Sequence, residues 1–415
     1  MKTIIRTNRD DYLNACPIFE ISPIFDDADN RLKRLVAEGL AKCYVTEVET
    51  GGEKWQEIQQ RTEYELNTII RNGLANSFLT VADLVNWSIS QDIPIGPGRG
   101  LCVGSVICYV LHITNINPFE YNLLFEPFIN PTHISMPPIG IGIDFAYECV
   151  GKVIEYIKDK FGADMTAQAT SEAMQYNTLT IDLLGFKVLD TIKYTEEQIR
   201  SCGEKYANFS IKNIPEDDKA TFKLFNEGKT DYVFQFESDG MKDILKQATT
   251  KTINDLMALN SLYRPGLPME NILRFIDFKN RNQKGSYPDP CLENILEETY
   301  GIVAYHEQII QIIMRIAGYS LGAADSLRRK MGKRVSELEK EKEVFIADSF
   351  TNGFKEDKAS NLFDMLVEFA TCSFSKSHAV AYTKLSYQTA YLKTNFQEEY
   401  EKACNKYYDK IHWGN

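Results

Sequence analysis

The chain has 415 residues, 44% hydrophobic and 25% charged, the profile of a globular protein with room for two or three domains. A net charge of −12 excludes a protein that is basic throughout, although a large enzyme needs positive potential only in its groove. With no apolar run of 18 residues, no signal-peptide core in MKTIIRTNRDDYL and no CxxC pair among nine cysteines, the expectation is a cytoplasmic chain.

Residues 1–30 carry Pro17, Pro23 and the acidic run DDAD, and read as an irregular lead-in. Apolar residues recur at helical spacing from Arg31 to about Tyr44, and again over 54–76 and 78–87. Then comes IPIGPGRGLCVGSVICYVLHI: a short strand (93–95), a glycine-rich turn and an apolar helix over about 103–113. Strand, glycine loop and helix start together present backbone N–H groups to phosphate. Residues 134–145 alternate as a strand, with Ile139, Ile141 and Ile143 on one face and Gly140, Gly142 and Asp144 on the other. Residues 146–161 read as helix and 177–190 as a strand containing Asp182, with mostly helix from about 196 onward. The mixed-charge stretch 334–343 reads as a solvated helix face.

Against the acidic background, SLRRKMGKR (326–334) gathers Arg328, Arg329, Lys330, Lys333 and Arg334, the composition that a triphosphate or nucleic-acid backbone needs. A solvated basic patch has the same composition. LYRPG (262–266) aims Arg264 from a rigid turn. FSKSHAVAY (374–382) sets Lys376, Ser377 and His378 at a helix start, which favours an anion, and YHEQ (305–308) precedes another helix.

Eight segments occur in an order that closely resembles the alpha subunit of bacterial DNA polymerase III: GPGRG, ISMP…DF, DLLGFKVL, VFQFES, ALNSLYRPG, ETYGIVAYHEQ, AGYSLGAADSLRRKMGK and FSKSHAVAYTKLSYQTAYLK. The likeness runs from about residue 31 to about 398. It implies an α+β fold with a polymerase-beta-like nucleotidyltransferase palm (31–195) and a mostly helical fingers domain (196–415). It also implies template-directed addition of dNTPs to a primer 3′-hydroxyl, with primer-template DNA as partner and replisome subunits in attendance. Two Mg²⁺ ions about 4 Å apart would lower the nucleophile's pKa and stabilise the leaving pyrophosphate. Carried over, the metal ligands are Asp182 and Asp144. The nucleotide contacts are Gly98, Arg99, Gly100, Gly104, Ser105, Arg264, Arg328, Arg329, Lys330, Lys333, Lys376 and His378.

The sequence also departs from that family. Met-Pro followed by Asp-x-Asp-x-Asp-Phe becomes MPPIGIGIDF, which puts Gly140 and Gly142 where two metal ligands belong and leaves Asp144 as the outer aspartate. Glu148 is the nearby candidate helper. Leu101 stands for a serine, Pro127 for an arginine and Thr180 for a lysine, and Leu267 is an addition after LYRPG. Only 38 residues separate Asp144 from Asp182 (182 − 144), so most of the family's thumb insertion, near 168–177, is expected to be deleted. The phosphoesterase, helix-hairpin-helix, clamp-binding and OB modules are expected to be lacking. A second reading therefore stands beside the polymerase: a catalytically silent module that binds DNA or nucleotide without chemistry.

Overall fold

The computed structural model describes residues 2–8, 18–21, 25–131, 139–161, 165–166, 178–264, 268–281, 285–332, 338–371 and 373–408. The fold is α+β and divides into two compact units, Met1–Phe209 with Lys402–Asp409, and Ser210–Glu401 with Lys410–Asn415. An expected boundary at 195/196 would cut the helix Lys187–Ser201; the division between units comes after that helix, at Phe209.

The first unit is built on one mixed sheet. Its strands are β1 (Lys2–Asn8), β2 (Ile18–Ile21), β3 (Ile139–Ala146), β4 (Met165–Thr166) and β5 (Thr178–Phe186), in the order β3-β5-β1-β2-β4. β5 pairs in parallel with β3 on one side and with β1 on the other, while β2 runs antiparallel to both β1 and β4. The irregular lead-in expected over 1–30 is thus corrected: two of its segments are strands. KTIIRTN and IFEI carry the β-branched and aromatic residues strands favour, but β1 finds its parallel partner some 170 residues away, where no local pattern points.

One face of β3 and β5 is apolar. Ile141, Ile143, Phe145, Ile181 and Leu183 are all buried, in a cluster with Val81 and Leu84 of the helix Ala75–Ser90 and Val150, Val153 and Ile157 of the helix Val150–Phe161. The period-2 alternation read in the sequence is this burial. β5 stops sooner than expected. Residues 187–190 open the helix Lys187–Ser201, where Val188 and Leu189 bury consecutively as a strand facing water on one side would not allow. The helix expected over 54–76 ends at Arg71, and Gly73, at φ +65°, turns the chain into the next helix, Ala75–Ser90.

The second unit is helical. Its longest helix, Lys376–Asn395, buries small and hydroxylic residues on most of its surface, among them Ser377, Ala379, Ala381, Thr383, Ser386 and Ala390. Ser386 donates to the Tyr382 carbonyl (2.9 Å), so its hydroxyl is satisfied within the helix and neighbours can pack closely. Phe225, Phe236, Phe275 and Phe345 fill this unit's interior.

Truncating Ile143→Ala removes a fully packed side chain between sheet and helices. It should destabilise the first unit by about 2–4 kcal/mol. Urea unfolding followed by tryptophan fluorescence checks this, because Trp55 and Trp87 both lie in that unit.

Candidate functional site

The glycine-rich segment does not stand away from the sheet as a phosphate cradle. It lies along β3 as an extra edge. Ile95 bridges Phe145 and Arg99 bridges Gly142, both antiparallel; Gly96 N–H donates to the Asp144 carbonyl (2.8 Å) and Ala146 N–H to that of Pro94 (3.0 Å). Gly98 must be glycine for this path: its φ is +131°, and a Cβ would meet Val103 at 2.9 Å and Thr114 at 3.0 Å.

Register places Gly142 directly opposite Asp182, with Thr180 opposite Gly140 and Leu184 opposite Asp144. Paired residues of adjacent strands share a face, so Gly140, Gly142, Asp144 and Asp182 lie on the side away from the apolar cluster. Arg99 covers this face. A Cβ built on Gly142 would lie 2.8 Å from Arg99 Cδ and 3.1 Å from its Cγ. The guanidinium reaches Asp144 (Nη1 to Oδ1, 3.4 Å), whose side chain is fully buried, and sits 5.9 Å from the centre of the Phe186 ring.

The helix start beyond this loop is also occupied. The helix is short, Val106–Val110, and Ser105 before it is extended, so the single helix expected over 103–113 is a turn, a break and a helix. Glu65, from the helix Glu53–Arg71, fills the break. Its carboxylate accepts from Ser105 Oγ (2.7 Å), Val106 N–H (3.2 Å) and Ile107 N–H (3.3 Å), and pairs with Arg61 (2.6 Å). Arg61 Nη2 also donates to the Gly104 carbonyl (3.1 Å). Burial pushes the Glu65 carboxyl above its ordinary range, and Arg61 and Ser105 pull it back. Gly104 and Ser105, expected to touch a triphosphate, are buried and face Glu65 instead. An internal carboxylate already meets the anion preference of this helix start.

The donor set does not fit two divalent ions. No group of three or more His, Cys, Asp or Glu side chains suited to a metal occurs among the described residues. Asp144 and Asp182 are two register positions apart with glycine between them, and Asp144 holds a guanidinium. Glu148, the candidate helper, lies in the turn Tyr147–Cys149 and accepts from the Tyr407 hydroxyl (3.4 Å). The backbone N–H groups of Tyr147 and Glu148 donate to Asp190, whose carboxyl burial raises to about 6.

In the second unit, several expected contacts do gather. Tyr305 bridges Phe374, which draws the start of the helix His306–Ala317 to the start of Lys376–Asn395. Arg264 lies flat on the Phe374 ring, 3.2 Å from its centre, and the His378 ring meets Phe374 edge-on at 5.1 Å. Burial lowers the Arg264 pKa to about 10, and its Nε finds no acceptor among the described residues. Arg328 and Arg329 share the buried carboxylate of Asp325, at 2.8 and 2.7 Å, and both raise the local potential at His306. Burial first, then Arg328, holds that imidazole down at about 3.

Three expected contacts fall elsewhere. Lys376 is buried and its ammonium pairs with Glu298 (2.8 Å), because so deep an ammonium requires a counter-charge. Lys330 pairs with Glu341 at the surface, and Lys333 lies outside the described residues. The start of the helix Lys376–Asn395 is again closed by a carboxylate: Glu307 accepts from Lys376 N–H (2.9 Å) and Ser377 N–H (3.4 Å).

Comparison with known proteins gives the family. A sequence model of the bacterial DNA polymerase III alpha NTPase domain matches residues 30–250, and one of the alpha subunit finger domain matches 188–353. This chain belongs to the bacterial DNA polymerase III alpha subunit family. Proteins named DNA polymerase III subunit alpha from Treponema pallidum and Borreliella burgdorferi are 34% and 33% identical to it, each over 93% of this chain and 42% of its own length. That of Neisseria meningitidis serogroup A is 31% identical over 94% of this chain and 44% of its own. The chain therefore spans less than half the length of these relatives. No described helix is long and apolar enough to cross a membrane.

Sequence reasoning missed Glu65, Asp325 and Glu298, and it placed Glu307 ahead of a helix without its contact to the start of Lys376–Asn395. The available signal was a charged residue at an otherwise apolar helical position: Glu65 beside Leu66 and Ile69, and Glu307 just before Ile309 and Ile310.

Two measurements test these networks. Glu65→Ala leaves Arg61 and two N–H groups unmatched and should cost about 3–5 kcal/mol, against a smaller loss for Glu65→Gln, read by thermal unfolding. His306 stays neutral in the fold while the unfolded chain accepts a proton near pH 6.5. Its stabilisation is therefore complete above 6.5 and is lost as pH falls toward 3, at about 1.4 kcal/mol per pH unit. Stability measured from pH 7 to 4 should fall more steeply in the wild type than in His306→Gln.

Proposed function

We propose that this chain is the palm and fingers portion of a DNA-directed DNA polymerase. It would serve template-directed addition of dNTPs to a primer 3′-hydroxyl in the cytoplasm, with primer-template DNA as its partner. The two matching family models, which together run through residues 30–353, carry this reading. The first unit is the polymerase-beta-like palm and the second the fingers. The alignment with the Treponema pallidum relative runs over 498 positions but covers 93% of this 415-residue chain, so the relative is longer within the aligned region, as a thumb mostly deleted between Asp144 and Asp182 would produce.

Within the fingers, Arg264, Arg328 and Arg329 form the phosphate-facing set, with His378 beside them. Arg328 and Arg329 both sit on Asp325, and Arg264 adds a third guanidinium held on Phe374. Phe374 holds Arg264 in place at little entropic cost, as a guanidinium meant for an anion requires. His306 stays neutral and adds no competing charge.

One observation favours the second reading, a module that binds DNA or nucleotide without chemistry: Arg99 lies over Gly142, where a metal-binding carboxylate would have to project. The relatives' names favour the polymerase. Primer extension with Mg²⁺ beside Asp182→Ala separates the two. Extension abolished by the substitution establishes the enzyme; no extension with retained DNA or dNTP binding establishes the module.

Under either reading Arg264→Ala and Arg329→Ala should weaken DNA binding about equally across sequences. Each should reduce the slope of log affinity against log salt by about one. Fluorescence anisotropy over a salt series measures this.

A further inference from the structure

We infer that Arg99 is the resident cation of the β3–β5 face, and that this face takes no divalent ion in the wild-type chain. The inference starts from the close approach at Gly142. The Arg99 stem lies against that glycine, with its Cδ, Cγ and Cβ at 2.8, 3.1 and 3.3 Å from where a Cβ would be. A carboxylate at 142 and this arginine conformation exclude each other. Glycine at 142 is what admits the arginine, and the Arg99–Gly142 bridge fixes the backbone from which it reaches.

The charge pattern points the same way. Asp144 is fully buried beneath the loop, with Gly96 packed on its Cβ side, where a methyl group would come within 3.0 Å. A buried carboxylate needs a positive partner or several donors. Arg99 supplies the positive charge at 3.4 Å while remaining about one-third exposed at its outer edge. Asp182 enters the same face at the register of Gly142, directly beside the arginine stem. One guanidinium therefore stands over the carboxylate face on which a metal would be held, and it is tethered to the chain. A tethered cation needs no loading from solution, and it cannot be removed by a chelator. Phe186, at the end of β5, bounds its other side.

The inference is limited to the chain without DNA or nucleotide, so the titration below and the primer-extension test of the proposed function can fail separately. The test is Mn²⁺ titration of the full chain without DNA or nucleotide, read by the electron paramagnetic resonance signal of free Mn²⁺. The wild type should leave that signal undiminished, and millimolar Mg²⁺ should not raise its melting temperature. The double variant Arg99→Ala/Gly142→Asp removes the guanidinium and restores a carboxylate opposite Asp182. It should bind Mn²⁺ at least about tenfold more tightly than the wild type. Wild-type Mn²⁺ binding that Asp182→Ala abolishes overturns the inference. So does a double variant that is folded by circular dichroism yet binds no better than the wild type. If the double variant does not fold, the wild-type titration and melting shift decide alone.

Discussion

A carboxylate withdrawn from water must be met by charge or by N–H groups, and the placement of Glu65 follows from that demand. Its helix brings it under the break at Ser105, where it gathers Arg61, a hydroxyl and two backbone N–H groups. The contact fixes more than one helix start. Held at Ser105, the preceding segment is drawn along β3, and its bridges at Ile95 and Arg99 follow. Arg99 is thereby laid on Gly142 and within reach of Asp144.

The second unit repeats the device. Glu307 closes the start of Lys376–Asn395 as Glu65 closes Val106–Val110, and in both a serine precedes the helix, donates to the glutamate and accepts an N–H three residues on. Two helix starts that would attract phosphate are thus already neutralised from within. This divides their roles from those of the surface cations. The arginines of the second unit are held differently: two on Asp325, and Arg264 on an aromatic ring. A chain with net charge −12 can present a local positive surface because its acidic residues are spent on buried amides and lysines as well as on solvent.

How much of this was legible in the sequence depended on the range of the contact. The alternation over 139–145 places Ile141 and Ile143 in the core and Gly142 on the opposite face, since a strand's period of two is a local property. The basic run 326–330 and the Arg264 turn carry their charge in their composition. Contacts across tens of residues were not legible. Nothing near Ser105 announces Glu65, 40 positions earlier, and nothing near Lys376 announces Glu298, 78 positions earlier. The same limit hid β1, whose partner β5 lies at the far end of the first unit's sequence. The course of the glycine-rich segment along β3 was hidden for a different reason: backbone freedom serves phosphate binding and close packing on a strand equally well, and only the neighbour decides.

The losses around β3 are better understood as one change than as several. If Gly142 alone had replaced a carboxylate, Asp144 and Asp182 would remain as two negative groups on one face with nothing between them. Such a pair would repel, and Asp144, deeply buried, would carry most of the penalty. Arg99 relieves that repulsion only because glycine leaves room for its stem. The arginine therefore accounts for the retention of Asp144 as a structural partner, and the glycine accounts for the arginine's position. The face in this way balances its buried carboxylate from within the chain, through Arg99.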